Sequence, residues 1–533
     1  MPRFFNNAGP IKPERHYHVP LLERVDWPEI QKLIDEERYF VLHAPRQTGK
    51  TSTLLAVMET LNRAGGYAAL YVNIEAAQAA RHDVEAGIAT VCSALVSEAE
   101  YYLGKHELRT WLRQEGAQVP AHDRLRHLLG HWASHTDKPI VLMLDEVDAL
   151  VGDTLISLLR QIRAGYARRP KGFPQSVILC GVRDVRDYRI HTSHQEIITG
   201  GSAFNIKAES LRMGNFSIED VKALYRQHTD ETGQVFDPAI FDELWADTEG
   251  QPWLVNALGY ELTSKDRAAR DRSQPITFEG YGAARERLIQ SRATHLDQLA
   301  DKLKERRVKR VIEPILRGEE NVHSLNPEDV LYVQDLGLIN RQCNGEIDIA
   351  NRIYREVIPR ELSWGSQMAI LQKQDWYLSA ERRLDMEKLL AAFQQFFREH
   401  SDVWLQRFDY REAGPHLLLQ AFLQRIVNGG GRVNREYGLG RRRTDLLVEW
   451  PLDSERGFFG PVQRVVIELK LQHKGLEKTL AEGLVQTADY ADRAKADEAH
   501  LIIFNRDAKT SWEDKIWHRQ ETWQNRAIDV WGA

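Results

Sequence analysis

The chain has 533 residues, of which 42% are hydrophobic and 28% charged, and it carries a net charge of -6. That length implies three or four domains, each able to bury its own core, and the composition is that of ordinary globular protein. The excess of acid excludes a uniformly basic coat for nucleic acid, so any contact with a phosphate backbone must use local patches. No apolar run approaches a membrane span, and Met1–Asn7 lacks the apolar core of a signal peptide. Cys92, Cys180 and Cys343 have neither pairing nor metal-ligand spacing and are expected as reduced thiols of a cytoplasmic protein.

Residues 1–35 form a proline-containing lead-in with a short helix at Trp27–Ile34. The apolar run Tyr39–Leu42 predicts a buried strand. It leads into Ala44-Pro45-Arg46-Gln47-Thr48-Gly49-Lys50-Thr51-Ser52, and Leu54, Leu55, Val57, Met58 and Leu61 mark the buried face of a following helix, Thr51–Ala64. Strand, loop and helix in that order predict a phosphate cradle. Backbone N–H groups of residues 44–52 would curl round the phosphates of a nucleoside triphosphate, Lys50 would reach the β- and γ-phosphates, and the Thr51 hydroxyl would ligate Mg2+. Ala44 stands where the motif usually has glycine, while Gly49-Lys50-Thr51 is intact.

Further strands are expected at Ala68–Ile74, Ile140–Leu144, Ser176–Val182 and Asn205–Leu211, with helices between them at Val84–Leu103 and Thr154–Arg169. This alternation predicts a parallel sheet that binds ligands at the carboxyl ends of its strands. Five apolar residues before Asp145-Glu146 describe a central strand whose tip aims acids at that crevice. Asp145 would hold the Mg2+ shell and Glu146 would polarise the attacking water, with Asp148 an ordinary solvated acid. Arg183, just past the next strand, is a candidate sensor of the γ-phosphate, or else a partner of Asp184 or Asp187. Phe216–Ala246 reads as a helical lid, and Gly250-Gln-Pro252-Trp253 as a turn opening a helix through its proline.

Residues 301–362 change character. A basic helix carrying Lys302, Lys304, Arg306, Arg307, Lys309 and Arg310, a second helix at Pro327–Leu336, and a wing strand running from Glu346 towards Pro359 give a winged-helix pattern. Its two readings are DNA contact through the basic face and a packing module with that face solvated. Ser379–Glu399 is a single amphipathic connector helix.

A different chemistry follows. A helix at Pro415–Ile426 precedes a strand-like stretch ending at Thr444-Asp445, then a strand with Glu468-Leu-Lys470, a helix with Gln486 and Tyr490, and a final strand Leu501–Phe504. The period of two sends Glu468 and Lys470 to one face. Asp445, Glu468 and the Leu469 carbonyl can bind Mg2+ or Mn2+, and Lys470 can position a water and stabilise phosphorane charge, which is what phosphodiester hydrolysis needs. Arg432, Arg435 and Arg441–Arg443, with Glu436 opposing them, make a local patch that attracts phosphate.

Two resemblances complete the reading. Tyr39–Ser52, Asp145–Glu146, Gly181–Arg183 and Gly250–Trp253 resemble the AAA-like, STAND-related prokaryotic P-loop ATPases, which implies ATP as the nucleotide and Pro252 and Trp253 near the adenine. Arg435–Asp445, Ile467–Lys470 and Gln486–Tyr490 resemble the PD-(D/E)XK nucleases, which implies Asp445 and Glu468 as metal ligands, Lys470 as base or charge stabiliser, and Gln486 and Tyr490 as site support. Such nucleases often carry an assisting Glu in the helix before the first strand. Here that helix has Gln420, so Glu436 or Glu412 substitutes or a single metal is used.

The expected fold is α/β throughout: a P-loop parallel sheet (1–212), a helical lid (213–300), a winged-helix-like domain (301–365), a connector (366–400) and a restriction-endonuclease-like domain (401–533). The expected function is an ATP-regulated DNA endonuclease, possible as a homo-oligomer and without membrane contact. The alternatives are a scaffolding ATPase with an inactive nuclease fold and a partner-dependent recombination ATPase.

Overall fold

The computed structural model describes residues 3–184, 189–191, 197–199, 204–265, 270–291, 301–316, 325–341, 347–358, 377–379, 381–407, 414–427, 431–439, 442–453, 458, 460–472, 475–505, 507 and 509–533. For positions 434–439 and 442–445 it describes the strand backbone alone. The chain divides into two units, Met1–His295 with Gln334–Leu338, and Leu296–Val333 with Ile339–Ala533.

The first unit opens with a short parallel pair, β1 (Phe4–Phe5) and β2 (His16–Tyr17). Helix α1 (Trp27–Asp35) starts where the Asp26 carboxylate accepts from the Glu29 amide at 3.1 Å. Then come β3 (Tyr39–His43), α2 (Lys50–Ala64), β4 (Ala68–Asn73), α3 (Val84–Leu103), α4 (Glu107–Gln114), α5 (Ala121–Ser134), β5 (Ile140–Asp145), α6 (Gly152–Gly165) and β6 (Ser176–Gly181). A small hairpin, β7 (Arg189–His191) and β8 (Ile197–Thr199), precedes β9 (Lys207–Arg212).

Five of these strands form one parallel sheet in the order β4-β5-β6-β3-β9. Strands β3, β5 and β6 are buried at every position, as a sheet covered on both faces requires. One face packs Val41, Leu70, Leu142 and Leu179 against α3, α5 and α6, and the other packs Phe40, Leu42, Val141 and Ile178 against α1 and α2. The strand holding Asp145 therefore does not touch the strand feeding the phosphate loop, because β6 lies between them.

The lid comprises α7 (Ile218–Thr232), α8 (Ala239–Thr248), α9 (Pro252–Tyr260) and α10 (Phe278–Gln290). Ser217 and Asp220 cap α7 reciprocally, and Gly233 at φ 75° ends it.

In the second unit, α11 (Arg306–Leu316), α12 (Pro327–Asp335) and an antiparallel pair, β10 (Ile339–Arg341) and β11 (Ile347–Ile349), follow the expected order. The wing strand expected to run on to Pro359 is replaced by a helix over 352–358. Ile353, Tyr354, Val357 and Ile358 are all buried, a helical spacing, and the Asn351 side chain caps the turn by accepting from the Tyr354 amide at 2.8 Å. The basic face is also committed: Arg307 and Arg310 both reach Asp329, at 2.8 and 3.3 Å, while Lys302 pairs with Glu305 and Lys304 with Asp301.

The connector helix α13 runs over Met386–Arg407, later than expected, since Asp385 accepts from the Lys388 amide and Ser379–Arg383 closes a turn with Arg382 at φ 59°. Helix α14 (Gly414–Val427) then leads into β12 (Arg432–Leu439), β13 (Arg442–Pro451), β14 (Val462–Leu471), α15 (Leu476–Arg493) and β15 (Glu498–Phe504). That strand is not the last. A hairpin of β16 (Trp517–Trp523) and β17 (Arg526–Gly532) turns on Gln524 and Asn525, both at positive φ, and completes a six-stranded mixed sheet β12-β13-β14-β15-β17-β16.

Candidate functional site

The phosphate loop joins β3 to α2. Its left-handed residues are Gln47 (φ 57°) and Gly49 (φ 95°), and position 44 is not among them, which is why alanine serves there. Ala44 is fully buried, and its amide donates to the Gly181 carbonyl at the tip of β6. The Thr48 hydroxyl closes the turn on the Pro45 carbonyl at 2.7 Å. Lys50 folds back so that its ammonium donates to the carbonyls of Ala44 and Pro45, each at 3.0 Å. Arg46 and Gln47 are exposed at the loop's apex.

Asp145 is fully buried at the end of β5 and is held by three donors. The Thr51 hydroxyl gives to one carboxylate oxygen at 2.6 Å and the Tyr71 hydroxyl to the same oxygen at 3.0 Å, while the Glu146 amide gives to the other at 2.9 Å. Glu146 sits at φ 60°, a left-handed conformation that costs a non-glycine residue about 1–3 kcal/mol and turns the chain sharply after the strand. Burial raises the Glu146 pKa, and the neighbouring charges of Asp148 and Asp145 push it the same way. Asp148 is no idle surface acid: its carboxylate accepts from the Val182 amide at 3.1 Å and so ties the tip of β5 to β6. Arg183 is half-buried immediately beyond that tip. A hydroxyl, a buried carboxylate and a second acid at one strand edge form the oxygen donor set a magnesium ion takes, so Thr51 and Asp145 fit Mg2+.

The loop, the acid pair and the lid lie within a stretch, residues 24–358, that matches the model of the AAA-like domain. The chain belongs to this AAA-like family. Its first unit is a P-loop ATPase. Similar solved structures include a Walker-type ATPase of Pyrococcus abyssi (14% identity, 66% of this chain and 99% of that chain, TM-score 0.45) and Cdc6p of Pyrobaculum aerophilum (15%, 65% and 96%, TM-score 0.36). The RuvB Holliday junction branch migration motor of Thermotoga maritima is a third (11%, 64% and 98%, TM-score 0.32). No curated protein matches the chain.

In this AAA-like unit some expected contacts take another form. Ser52 is buried and its hydroxyl accepts from the Ile11 amide at 2.9 Å, so it anchors the N-terminal segment. Pro252 opens α9, as expected, but the Trp253 indole N–H donates to the Asn7 carbonyl at 2.9 Å. The N-terminal segment thus touches both the loop helix and the lid. Gly250 at φ 68° leaves no room for a side chain, since a Cβ would lie 2.1 Å from the Phe216 carbonyl oxygen.

Sequence reasoning missed Tyr71 and Arg24. Tyr71 lies in a strand whose apolar neighbours make any tyrosine read as core. Its hydroxyl is driven well above the usual phenol range by burial and then by Asp145, so it acts only as a donor. The one signal it left was its place near the end of β4, two residues before Asn73, which pairs with Asp145.

The second unit holds the other expected constellation. On β14, Lys470 donates to the nearly fully buried Glu468 carboxylate at 2.7 Å. Val466, on the same face by alternation, packs with Leu480, Leu484 and Ala488 of α15, so Glu468 and Lys470 face the helix that carries Gln486 and Tyr490. Tyr490 is buried, and the Gln486 amide oxygen is buried without a hydrogen-bond partner among the described residues. The pairing of β13 with β14 runs from Pro451↔Val462 to Leu446↔Ile467. Asp445 and Glu468 are therefore the residues directly beyond the last paired rung on their two strands. The side chains of Asp445 and Glu436 lie outside the described residues, as do Arg441 and Glu412. Among the described residues no helix is long and apolar enough to cross a membrane, and no group of three or more His, Cys, Asp or Glu is placed to hold a metal.

Proposed function

We propose that the chain couples ATP binding and hydrolysis in its AAA-like unit to metal-dependent cleavage of DNA by its C-terminal sheet. The observation carrying the nuclease half is the element order α14-β12-β13-β14-α15-β15, with Glu468 and Lys470 paired on one face of β14, and Asp445 and Glu468 each directly beyond the last rung that pairs β13 with β14. This is the arrangement expected of a PD-(D/E)XK site, on a sheet that carries Arg442–Arg443 at the end of the β12–β13 ladder nearer Asp445, with Arg432 at the other end.

In the ATPase half, Lys50 leaves its loop carbonyls for the β- and γ-phosphates, and the backbone amides of the loop hold the phosphate chain. Thr51 and Asp145 would hold Mg2+, which when bound neutralises phosphate charge. Glu146, its proton affinity raised by burial, orients the attacking water and accepts its proton. Arg183, at the tip of the strand between loop and acids, senses the γ-phosphate. Pro252 and Trp253 border the adenine.

In the nuclease half, Asp445 and Glu468 would hold Mg2+ or Mn2+, which supplies electrophilic activation of the phosphodiester. Lys470 positions the attacking water and counters the charge that develops on the phosphorane, with Gln486 and Tyr490 lining the helix side and Glu436 available on the entry strand. DNA is the partner, a homo-oligomer the working assembly, and the cytoplasm the setting that suits reduced thiols. The winged-helix-like helices, with Lys302, Lys304, Arg307 and Arg310 already paired to acids, serve as a packing module.

The test is incubation of the full chain with plasmid, Mg2+ or Mn2+, and ATP or a non-hydrolysable analogue, repeated with Asp445→Ala and Lys470→Ala. Metal-dependent cutting that disappears in both variants supports the reading. Intact DNA under every metal and nucleotide condition, with ATP still hydrolysed, overturns the nuclease half.

A further inference from the structure

Arg24 ends the turn Leu21–Arg24 ahead of α1, and its guanidinium has two holds. One terminal nitrogen donates to the Thr48 carbonyl in the phosphate loop at 2.5 Å, and the other to the Gly214 carbonyl at 2.7 Å. The guanidinium carbon stands 4.6 Å from the centre of the Phe216 ring. Burial lowers the Arg24 pKa to about 10, which still leaves a full cation at neutral pH.

The first hold acts on the peptide that needs it. Thr48 lies between Gln47 (φ 57°) and Gly49 (φ 95°), so the 48–49 peptide plane ends on one left-handed residue and the plane before it starts from another. A trans peptide points its carbonyl and its N–H in opposite directions. Fixing the Thr48 carbonyl against Arg24 therefore aims the Gly49 N–H away from Arg24, on the other side of the loop. The φ of 95° already calls for glycine at position 49, and a Cβ there would also come within 2.9 Å of the Arg24 nitrogen.

The second hold acts at the root of the lid. Gly214 follows β9 and precedes the Ser217 cap of α7. From there the polar chain continues: the Phe216 amide donates to the Gly250 carbonyl at 2.9 Å, and the Asn215 side-chain amide donates to the Glu249 carbonyl at 2.9 Å. Gly250 is the residue that admits no Cβ against Phe216, and two residues later Pro252 opens α9. A rigid path thus runs from the phosphate loop through one guanidinium to the turn that starts a lid helix.

We propose that Arg24 is a positioning residue for the ATPase reaction: it presets the Gly49 N–H for phosphate and couples phosphate occupancy to the lid through the segment Gly214–Phe216, whose last amide bonds Gly250. Arginine's planar fork suits the task because its two nitrogens reach two carbonyls from one rigid group, which the single ammonium of lysine does not reproduce. This holds whether or not the C-terminal sheet cuts DNA.

The experiment uses the full chain and Arg24→Met, Arg24→Lys and Phe216→Leu variants. Affinity for ADP and for a non-hydrolysable ATP analogue is read by calorimetry, and hydrogen exchange over 214–253 is read with and without saturating nucleotide. Arg24→Met is expected to weaken both nucleotides by about tenfold to a hundredfold, the usual effect of losing hydrogen bonds to a charged donor. At saturation its lid amides should no longer slow their exchange. Arg24→Lys, which reads the same effect should the methionine variant not fold, should recover part of the affinity and little of the lid response. Phe216→Leu, which keeps both carbonyl bonds, should leave affinity within about twofold. Wild-type affinity in either Arg24 variant overturns the proposal. So does a weakened Arg24 variant whose lid still responds fully at saturation, or a wild-type lid indifferent to nucleotide.

Discussion

Two buried carboxylates, Asp145 and Glu468, each sit near the carboxyl end of a central strand, yet their surroundings follow different logics. Asp145 is held by two hydroxyls and an amide, neutral donors that orient the acid without cancelling its charge. Glu468 bonds an ammonium from two residues along its own strand. The first arrangement keeps a negative site poised for a cation and assembles it from three separate strand and helix ends. The second contains a local ion pair, built by the period of two in one strand, whose attraction must offset the cost of taking the Glu468 carboxylate out of water. The one carboxylate is held by tertiary contacts, the other has its bonded cation supplied by its own strand, and each should fail in its own way.

The largest effects should come from the chemistry of each end, and a change in the cleaving residues should not reach ATP turnover. Glu146→Gln is expected to lower ATP turnover by about a hundredfold to ten-thousandfold while retaining nucleotide binding, the range for removing a general base. Lys50→Ala should lose turnover and affinity together. Persistent turnover in Lys50→Ala would mean that the loop is not the phosphate site. At the other end, Lys470→Ala should lower plasmid cleavage by at least about a hundredfold and leave ATP turnover unchanged. If Lys470→Ala also abolished ATP turnover, the two ends would not be independent centres.

A smaller effect would sharpen the contrast at Asp145. Tyr71→Phe removes one of its neutral donors and should raise the half-saturating Mn2+ concentration of the nucleotide complex by about tenfold, as read by paramagnetic resonance. Unchanged metal affinity would reduce Tyr71 to packing. The smallest effect concerns the lid. His228 is buried between the Tyr17 hydroxyl, at 3.3 Å, and the Gln234 amide oxygen, at 2.9 Å, and burial lowers its pKa below 6.5 against the pull of Gln234. The unfolded chain takes up this proton near 6.5, and the folded chain only at lower pH. Stability from the neutral ring is therefore complete above about 6.5 and is lost as pH falls from there towards the folded value. The thermal midpoint should drop over that window by an amount of order a few degrees. His228→Gln should flatten the dependence. A midpoint that rises on acidification would contradict the burial argument.

Much of the ATPase end was legible because its residues are constrained by both fold and chemistry. Tyr39–Leu42, Ile140–Leu144 and Val84–Leu103 read correctly to within a residue, since continuous apolar runs and 3.6-residue periodicity leave little choice. What was lost was what depends on distant partners. Tyr71 and Arg24 carry no local pattern, and only the folded sheet brings them to Asp145 and Thr48. No local pattern announces that the N-terminal segment takes the polar atoms of Ser52 and Trp253, at Ile11 and Asn7. In the second unit the alternation in 346–359 suggested a strand, but Ile353, Tyr354, Val357 and Ile358 also fit a helix, and burial chose the helix. The hairpin β16–β17 was missed because its turn, Gln524-Asn525, reaches the left-handed region without a glycine.

The order of strands in the ATPase sheet has a bearing on biosynthesis. The segment that bears the phosphate loop, β3, emerges first but lies between β6 and β9, which emerge last. A nascent chain ending near residue 150 would already contain the loop and both acids, but not the strand β6 that lies between β3 and β5 in the finished sheet. The sheet is therefore completed only when the region around Ser176–Arg212 leaves the ribosome and β6 and β9 take their places on either side of β3. Nucleotide present during synthesis would then act as a latch on a nearly finished sheet.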